Sequence, residues 1–246
     1  MFPLQVTTRT TGLQIGTWLL IAINVVVFLF EATLPPPILE QFLRLFGLVP
    51  ARVTSSLSMI ESGPPIDLWW PFITSMFLHG GWMHLFSNMW TLYLFGEAVE
   101  DRMGTARYLI FYLLCGLVAG LTHYFSNPMS SVPTVGASGA IAGVLGAYYL
   151  FFPRAHVVIL VPIFFWPFFF ELPAVTYLFF WFFMQLLNGT MSLAMPQDVG
   201  GIAWMAHAGG FAAGALLCYL FAKPRRQQPQ WDPDEFGYIQ AWKHHL

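Results

Sequence analysis

The sequence predicts an all-α integral membrane protein built as a bundle of six transmembrane helices. Three observations predict it: an apolar composition, six separated apolar runs and a lopsided distribution of positive charge. Of the 246 residues, 57% are apolar and 9% charged, against about 45–50% and about 25% in a soluble globular domain. A spanning helix needs about 20 mostly apolar residues, so the chain accommodates several spans and no large soluble domain. The formal net charge of −2 points to no nucleic acid, and the partner the composition implies is the lipid bilayer.

Residues 1–12 read as a cytoplasmic N-terminus and 13–32 as the first span. Arg9 before that run could mark a secretory signal, but its length and the later spans favour an uncleaved helix. The remaining spans lie at 82–99, 107–125, 138–152, 173–188 and 202–222, between polar or Pro/Gly breaks. Residues 157–170 are as apolar as a span but carry Pro162 and Pro167 and precede Pro173, which argues against one continuous helix. They read as a shallow or re-entrant lead into the fifth span, with a short seventh span as the alternative. Residues 13–222 then form one membrane domain and 223–246 a polar cytoplasmic tail. With six spans, Arg9, Arg102, Arg107, Arg154, Lys223, Arg225, Arg226 and Lys243 share one side, and Arg44 and Arg52 the other. The positive excess marks the cytoplasmic side and puts both termini there; the loops 33–81, 126–137 and 189–201 face outward.

Polar residues cluster near the beginnings of the even-numbered spans: His79, His84 and Asn88, then Gly136, Ala137, Ser138 and Gly139, then His207 within 206–210. All even-numbered spans run from outside to inside, so these clusters share a depth and can meet. His84 and Asn88 are four apart and so lie on one helix face. Ser138 opens a helix after a Pro133 and Gly136 turn, where free N–H groups and the helix dipole favour developing negative charge. Gly136, Gly139, Gly143 and Gly146 on the fourth span, and Ala206, Gly210 and Gly214 on the sixth, form small-residue stripes that let membrane helices approach closely. Such an approach brings the Ser138 hydroxyl within reach of the His207 imidazole, a nucleophile and general base for acyl transfer.

Each element also has a structural reading. Gly and Ser are common at membrane helix contacts, and a histidine in a span could serve a metal or proton transfer. A metal cluster of His79, His84 and His207 lacks a nearby Cys or carboxylate, and His79 and His84 do not share a helical face. Cys115 and Cys218 lie in apolar runs and read as small buried hydrophobes. Glu97, Glu100 and Glu171 fall near cytoplasmic helix ends or in the proline-rich stretch, and Glu100 beside Asp101 and Arg102 reads as an interface ion network. No carboxylate falls at the depth of Ser138, and Asp198 in an outer loop is remote, so a dyad fits better than a triad. Neither metal nor cofactor is expected. A transporter reading lacks internal repeats and midplane acids.

Four ordered strings resemble the rhomboid family of intramembrane serine proteases: HGGWMHLFSN at 79–88, GEAVEDRMG at 96–104, GASGAIAG at 136–143 and AHAGGFAAG at 206–214. The resemblance implies a six-span rhomboid bundle that cleaves transmembrane protein substrates near their outer ends, with Ser138 as nucleophile and His207 as base. It also implies oxyanion stabilisation by His84 and Asn88 beside the Ser138 N–H, and supporting roles for His79, Gly136, Gly139 and Gly210. Gly96, Glu100 and Gly104 match a structural motif of the family. Two departures stand out: Trp69 and Trp70 lack the Trp-Arg pair of many members, and Ala142 stands where some carry a tyrosine beneath the histidine. Another group, from the aromatic fifth span, then has to hold His207. Phe179, Phe180, Trp181, Phe182 and Phe183, with the loop 189–201, resemble the family's gate and cap; a lipid-facing aromatic wall is the alternative. A rhomboid-like pseudoprotease that binds membrane clients without cutting them is the competing function.

Overall fold

The computed structural model describes residues 2–58, 68–163, 166–192 and 203–224. In chain order, β1 (Phe2–Val6) leads into α1 (Ile15–Glu31), then α2 (Pro36–Phe46), α3 (Pro50–Ser58) and α4 (Pro71–Thr74). A 3-10 turn at Ser75–Phe77 precedes α5 (Trp82–Met103) and α6 (Thr105–Ser126), followed by α7 (Ser138–Phe151). A hairpin of β2 (His156–Ile163) and β3 (Trp166–Pro173) leads to α8 (Ala174–Ser192) and α9 (Trp204–Phe221). Helices thus occupy all six predicted positions. By length and composition alone, two of the described helices, α6 and α9, are long and apolar enough to cross a membrane. α1 and α7 are apolar but shorter, with 17 and 14 residues. α5, at 22 residues, carries Glu97, Glu100, Asp101 and Arg102 at one end and His84, Ser87 and Asn88 at the other.

The bundle closes around α7, which is buried from Gly139 to Tyr148. Its contact with α9 is set by glycine. A Cβ on Gly210 would collide with the carbonyl oxygen of Gly139, one on Gly214 with that of Gly143, and one on Gly146 with that of Phe211. In a lipid medium, where apolar side chains gain little by leaving one surface for another, such backbone contact is a main source of helix association. Around this seam Leu92, Phe95, Tyr108, Phe111, Tyr112 and Cys115 are fully buried.

The all-α expectation needs correcting. The described residues of 157–170 are strand and not helix: 157–163 lie in β2 and 166–170 in β3, which pair antiparallel, and β1 pairs with β2 to make a three-stranded sheet in the order β1-β2-β3. The prolines explain both halves of the result. Proline excludes a helix interior but is tolerated on edge strands. Pro3 and Pro167 lie on the two edge strands, and Pro162 lies beyond Leu160, the partner of Phe2, where β2 has β3 as its neighbour. The N-terminal residues pack onto the bundle. Thr8 Oγ1 lies 3.2 Å from Tyr148 Oη near the end of α7, Trp90 Nε1 donates to Pro3 O at 2.7 Å, and Phe2 stacks on Trp90 at 5.9 Å. The sheet therefore rises along α5 from its charged end to its middle, with Trp166 and Phe168–Phe170 exposed on β3.

Glu100 is a second correction. It does not join an ion network with Arg102, whose Nη1 donates to Lys223 O at 2.5 Å. Instead the buried Glu100 carboxylate accepts Gly16 N–H and Thr17 N–H at 2.7 Å, Thr17 Oγ1 at 2.8 Å and Thr105 Oγ1 at 2.7 Å. It caps the start of α1, where unpaired N–H groups and the helix dipole attract negative charge, and ties that start to α5 and α6. Glu100→Ala strands these donors at about 1–3 kcal/mol each. The variant is expected to lose about 3 kcal/mol or more in equilibrium unfolding from micelles; an unchanged unfolding midpoint would contradict this account of the cap.

Candidate active site

Ser138 is delivered by a pinned loop. Leu48 and Thr134 exchange two backbone hydrogen bonds at 3.0 and 2.8 Å, and Gly136 N–H donates to Ser75 O at 2.8 Å. Gly136 then adopts φ +129°, a conformation that L side chains rarely take, and α7 begins two residues later. The first-turn N–H groups of α7 have no intrahelical acceptor.

His207 sits one turn into α9. Its Nε2 lies 2.8 Å from Ser138 Oγ and its Nδ1 2.8 Å from Gln185 Oε1 on α8. Trp181, one turn before Gln185, lies 6.0 Å from the imidazole at 30°. Trp204 closes another side at 6.2 Å, edge-on.

His84 and Asn88 face Gly136 from α5. A Cβ on Gly136 would lie 2.8 Å from Cε1 and Nε2 of His84 and 3.7 Å from Asn88 Nδ2, so both side chains occupy the space the missing side chain leaves. Gly80 N–H donates to His84 Nδ1 at 3.4 Å. That contact leaves the ring proton on Nε2, the nitrogen turned toward Gly136. Asn88 Nδ2 lies 3.1 Å from His79 Nε2. An amide nitrogen only donates, so this His79 nitrogen accepts. Burial, reinforced by neighbouring His84, pulls the His79 imidazole down to about 4, consistent with a neutral ring. The backbone N–H of His79 donates to Glu31 at 3.2 Å, which fixes the ring from behind.

A cavity of about 590 Å³ joins these groups, lined among others by Ser138, His207, His84, Asn88, Gly139 and His123. Among the described residues no three His, Cys, Asp or Glu side chains converge as metal ligands. The rings of His79 and His84 do come within 5.1 Å, although His79 precedes the helix.

The family model for the Rhomboid domain matches residues 67–224, which is more than half of the chain and contains all four strings and Ser138, His207, His84 and Asn88. The chain belongs to the rhomboid family. Rhomboids are multi-pass membrane proteins, in general intramembrane serine proteases. This rhomboid is 41% identical over 76 residues to Rhomboid-like protein 11, chloroplastic, of Arabidopsis thaliana, a match covering 31% of the chain and 27% of the relative. It is 40% identical over 79 residues to Rhomboid protease GluP of Bacillus subtilis, over 32% of the chain and 15% of the relative. A longer match, 26% identical over 217 residues, relates it to Rhomboid protein 1, mitochondrial, of Saccharomyces cerevisiae, over 86% of the chain and 54% of the relative. The chain therefore spans less than two thirds of the length of each of these relatives.

The rhomboid's structure brings Ser138, His207, His84, Asn88, His79 and Gly136 together, with Gly139 and Gly210 in the seam beneath them. Two polar neighbours lay outside the sequence reading. Gln185 was hidden in an aromatic run, yet an amide inside an apolar span is costly enough to signal a partner. His123, whose Nε2 lies 2.7 Å from Thr134 Oγ1, offered no such motif. In the first outer loop Arg52 donates to the carbonyls of Arg44, Leu45 and Gly47 at 2.5, 3.2 and 3.3 Å, closing the end of α2. Phe179, Phe180 and Phe183 of α8 are exposed, whereas Phe182 stacks on Phe211 at 4.6 Å. Asp198 and most of the loop 189–201 lie outside the described residues, as do Arg225, Arg226 and the rest of the tail.

Gly136→Ala introduces a methyl against the His84 ring at a backbone angle alanine avoids. Fluorophosphonate labelling of Ser138 in the folded variant is expected to slow by more than about tenfold, since small misplacements of reacting groups carry such penalties; wild-type labelling would rule out this role for Gly136.

Proposed function

We propose that this rhomboid is an intramembrane serine endopeptidase that uses a Ser138–His207 dyad to cut transmembrane protein substrates near their outer ends, without metal or cofactor. The observation that carries the reading is the 2.8 Å contact between Ser138 Oγ and His207 Nε2, made at the start of a helix. His207 Nε2 takes the hydroxyl proton as Oγ attacks the scissile carbonyl. The negative charge passes to the former carbonyl oxygen, which in this reading accepts from the Ser138 N–H, His84 Nε2–H and the Asn88 amide. Collapse to the acyl-enzyme transfers the proton from His207 to the departing amine. Water entering through the cavity is then deprotonated by His207 and releases the new carboxyl end.

The membrane arrangement that goes with this chemistry has six spans, α1, α5, α6, α7, α8 and α9, with both termini cytoplasmic. The positive-charge asymmetry supports this orientation. The inner membrane of a prokaryotic cell is the setting it fits. The Phe-rich face of α8 and the exposed aromatics of β3 then meet lipid, where such side chains are stable.

In liposomes holding a labelled single-span reporter, wild-type protein is expected to cut while Ser138→Ala and His207→Ala do not. Full cleavage by Ser138→Ala would sink the dyad, whereas a folded wild type that neither cuts nor accepts fluorophosphonate would favour the pseudoprotease. His84→Ala and Asn88→Ala are each expected to lower kcat by about 10²-fold, the usual loss for one oxyanion donor; unchanged kcat in both would remove them from the oxyanion site.

A further inference from the structure

We propose that Gln185 on α8 is the positioning residue of His207, and that its amide sets the imidazole in the tautomer able to receive the Ser138 proton. The inference rests on the protease reading for its catalytic consequence and on geometry alone for the tautomer. Gln185 is 5% exposed. Its Nε2 donates to Trp181 O at 3.1 Å, and its Oε1 faces His207 Nδ1 at 2.8 Å.

A backbone carbonyl can only accept, so the nitrogen of the amide must be the atom that faces Trp181, and the oxygen the atom that faces the ring. Oxygen in turn can only accept, so His207 Nδ1 must carry the proton. His207 Nε2 is then left with its lone pair, aimed at Ser138 Oγ 2.8 Å away, and the hydroxyl donates. With the amide reversed, Oε1 would oppose Trp181 O. The NH2 would press the ring into the Nε2–H tautomer, which cannot accept the hydroxyl proton.

The choice of an amide also has a physical reason. In the Ser-His-Asp arrangement a carboxylate holds the base and stabilises the imidazolium. A carboxylate at this depth in the bilayer would be expensive, whereas an amide keeps the orienting acceptor without a charge. Because Gln185 and Trp181 both sit on α8, and Phe182 stacks on Phe211 of α9 at 4.6 Å, the base is ordered only while α8 packs against α9. A retreat of about 1 Å would break the Gln185 bond, since such contacts fade beyond about 3.5 Å.

The test compares wild type, Gln185→Leu, Gln185→Met and Gln185→Glu in micelles, by 15N NMR of histidine-labelled protein and by steady-state cleavage of the single-span reporter. Wild type is expected to show His207 as the Nδ1–H tautomer. Leu and Met remove the acceptor, so the tautomer becomes mixed and kcat falls about 10–100-fold, the scale of a misplaced reacting group, with KM within about twofold. Glu, protonated at this depth, can donate its O–H to Trp181 O and keep an acceptor oxygen for His207, and is expected to recover both the tautomer and most of kcat. Met, which adapts to irregular space, covers the case in which Leu does not fold. An unchanged His207 tautomer in Leu and Met would overturn the proposal, whether or not cleavage falls. A wild type that cuts nothing, but whose Nδ1–H tautomer is lost in Gln185→Leu, would support the positioning role and reject the protease reading.

Discussion

Everything at the candidate active site depends on how closely α7 and α9 approach. Gly139, Gly143 and Gly146 face Gly210, Gly214 and the Phe211 carbonyl at distances where a single Cβ would collide with backbone. Ser138 begins one of these helices and His207 lies near the start of the other, so their 2.8 Å contact is inherited from the seam below. In water such a contact could be supported by hydrophobic burial from all sides. In lipid that driving force between helices is weak, and backbone packing with satisfied polar groups takes its place.

The polar groups follow the same logic. Several of those lodged among the helices meet partners that also orient them, although the Tyr112 hydroxyl and one nitrogen of His123 have none among the described residues. Glu100 caps α1 and receives Thr105; Glu31 holds the His79 backbone, and His79 holds Asn88. In the same way Trp181 O directs the Gln185 amide, and Gln185 directs His207. A donor or acceptor left alone in this medium would cost several kcal/mol, so the arrangement that satisfies these atoms also preorganises the site. Gly136 and Gln185 belong to this arrangement: one leaves room for His84, and the other faces the His207 ring.

The sheet follows a different rule. An open sheet is hard to place in lipid, because its edge groups lack partners. Here one edge strand, β1, lies against α5, where Trp90 Nε1–H reaches the Pro3 carbonyl. Proline on the outer strands lowers the number of unpaired N–H groups. Aromatic side chains then cover the exposed face, which gives the segment the hydropathy of a span without a helix.

The sequence by itself determined the positions of the six long helices and the family, and singled out Ser138 and His207 as candidates. Long apolar runs with Pro and Gly breaks reflect local hydropathy and backbone preference, and the motifs at 79–88, 136–143 and 206–214 are local strings whose spacing fixes their depth. Tertiary structure alone decided that 156–163 and 166–173 are paired strands, since the pairing of the first with Phe2–Val6 joins residues about 150 positions apart and period and composition do not distinguish a short apolar strand from a helix. It alone also decided that Glu100 caps α1 and not an ion pair at its own helix end, and that Gln185 of α8 meets His207 of α9. Those are contacts between distant side chains, set by which faces the glycine seam turns toward each other.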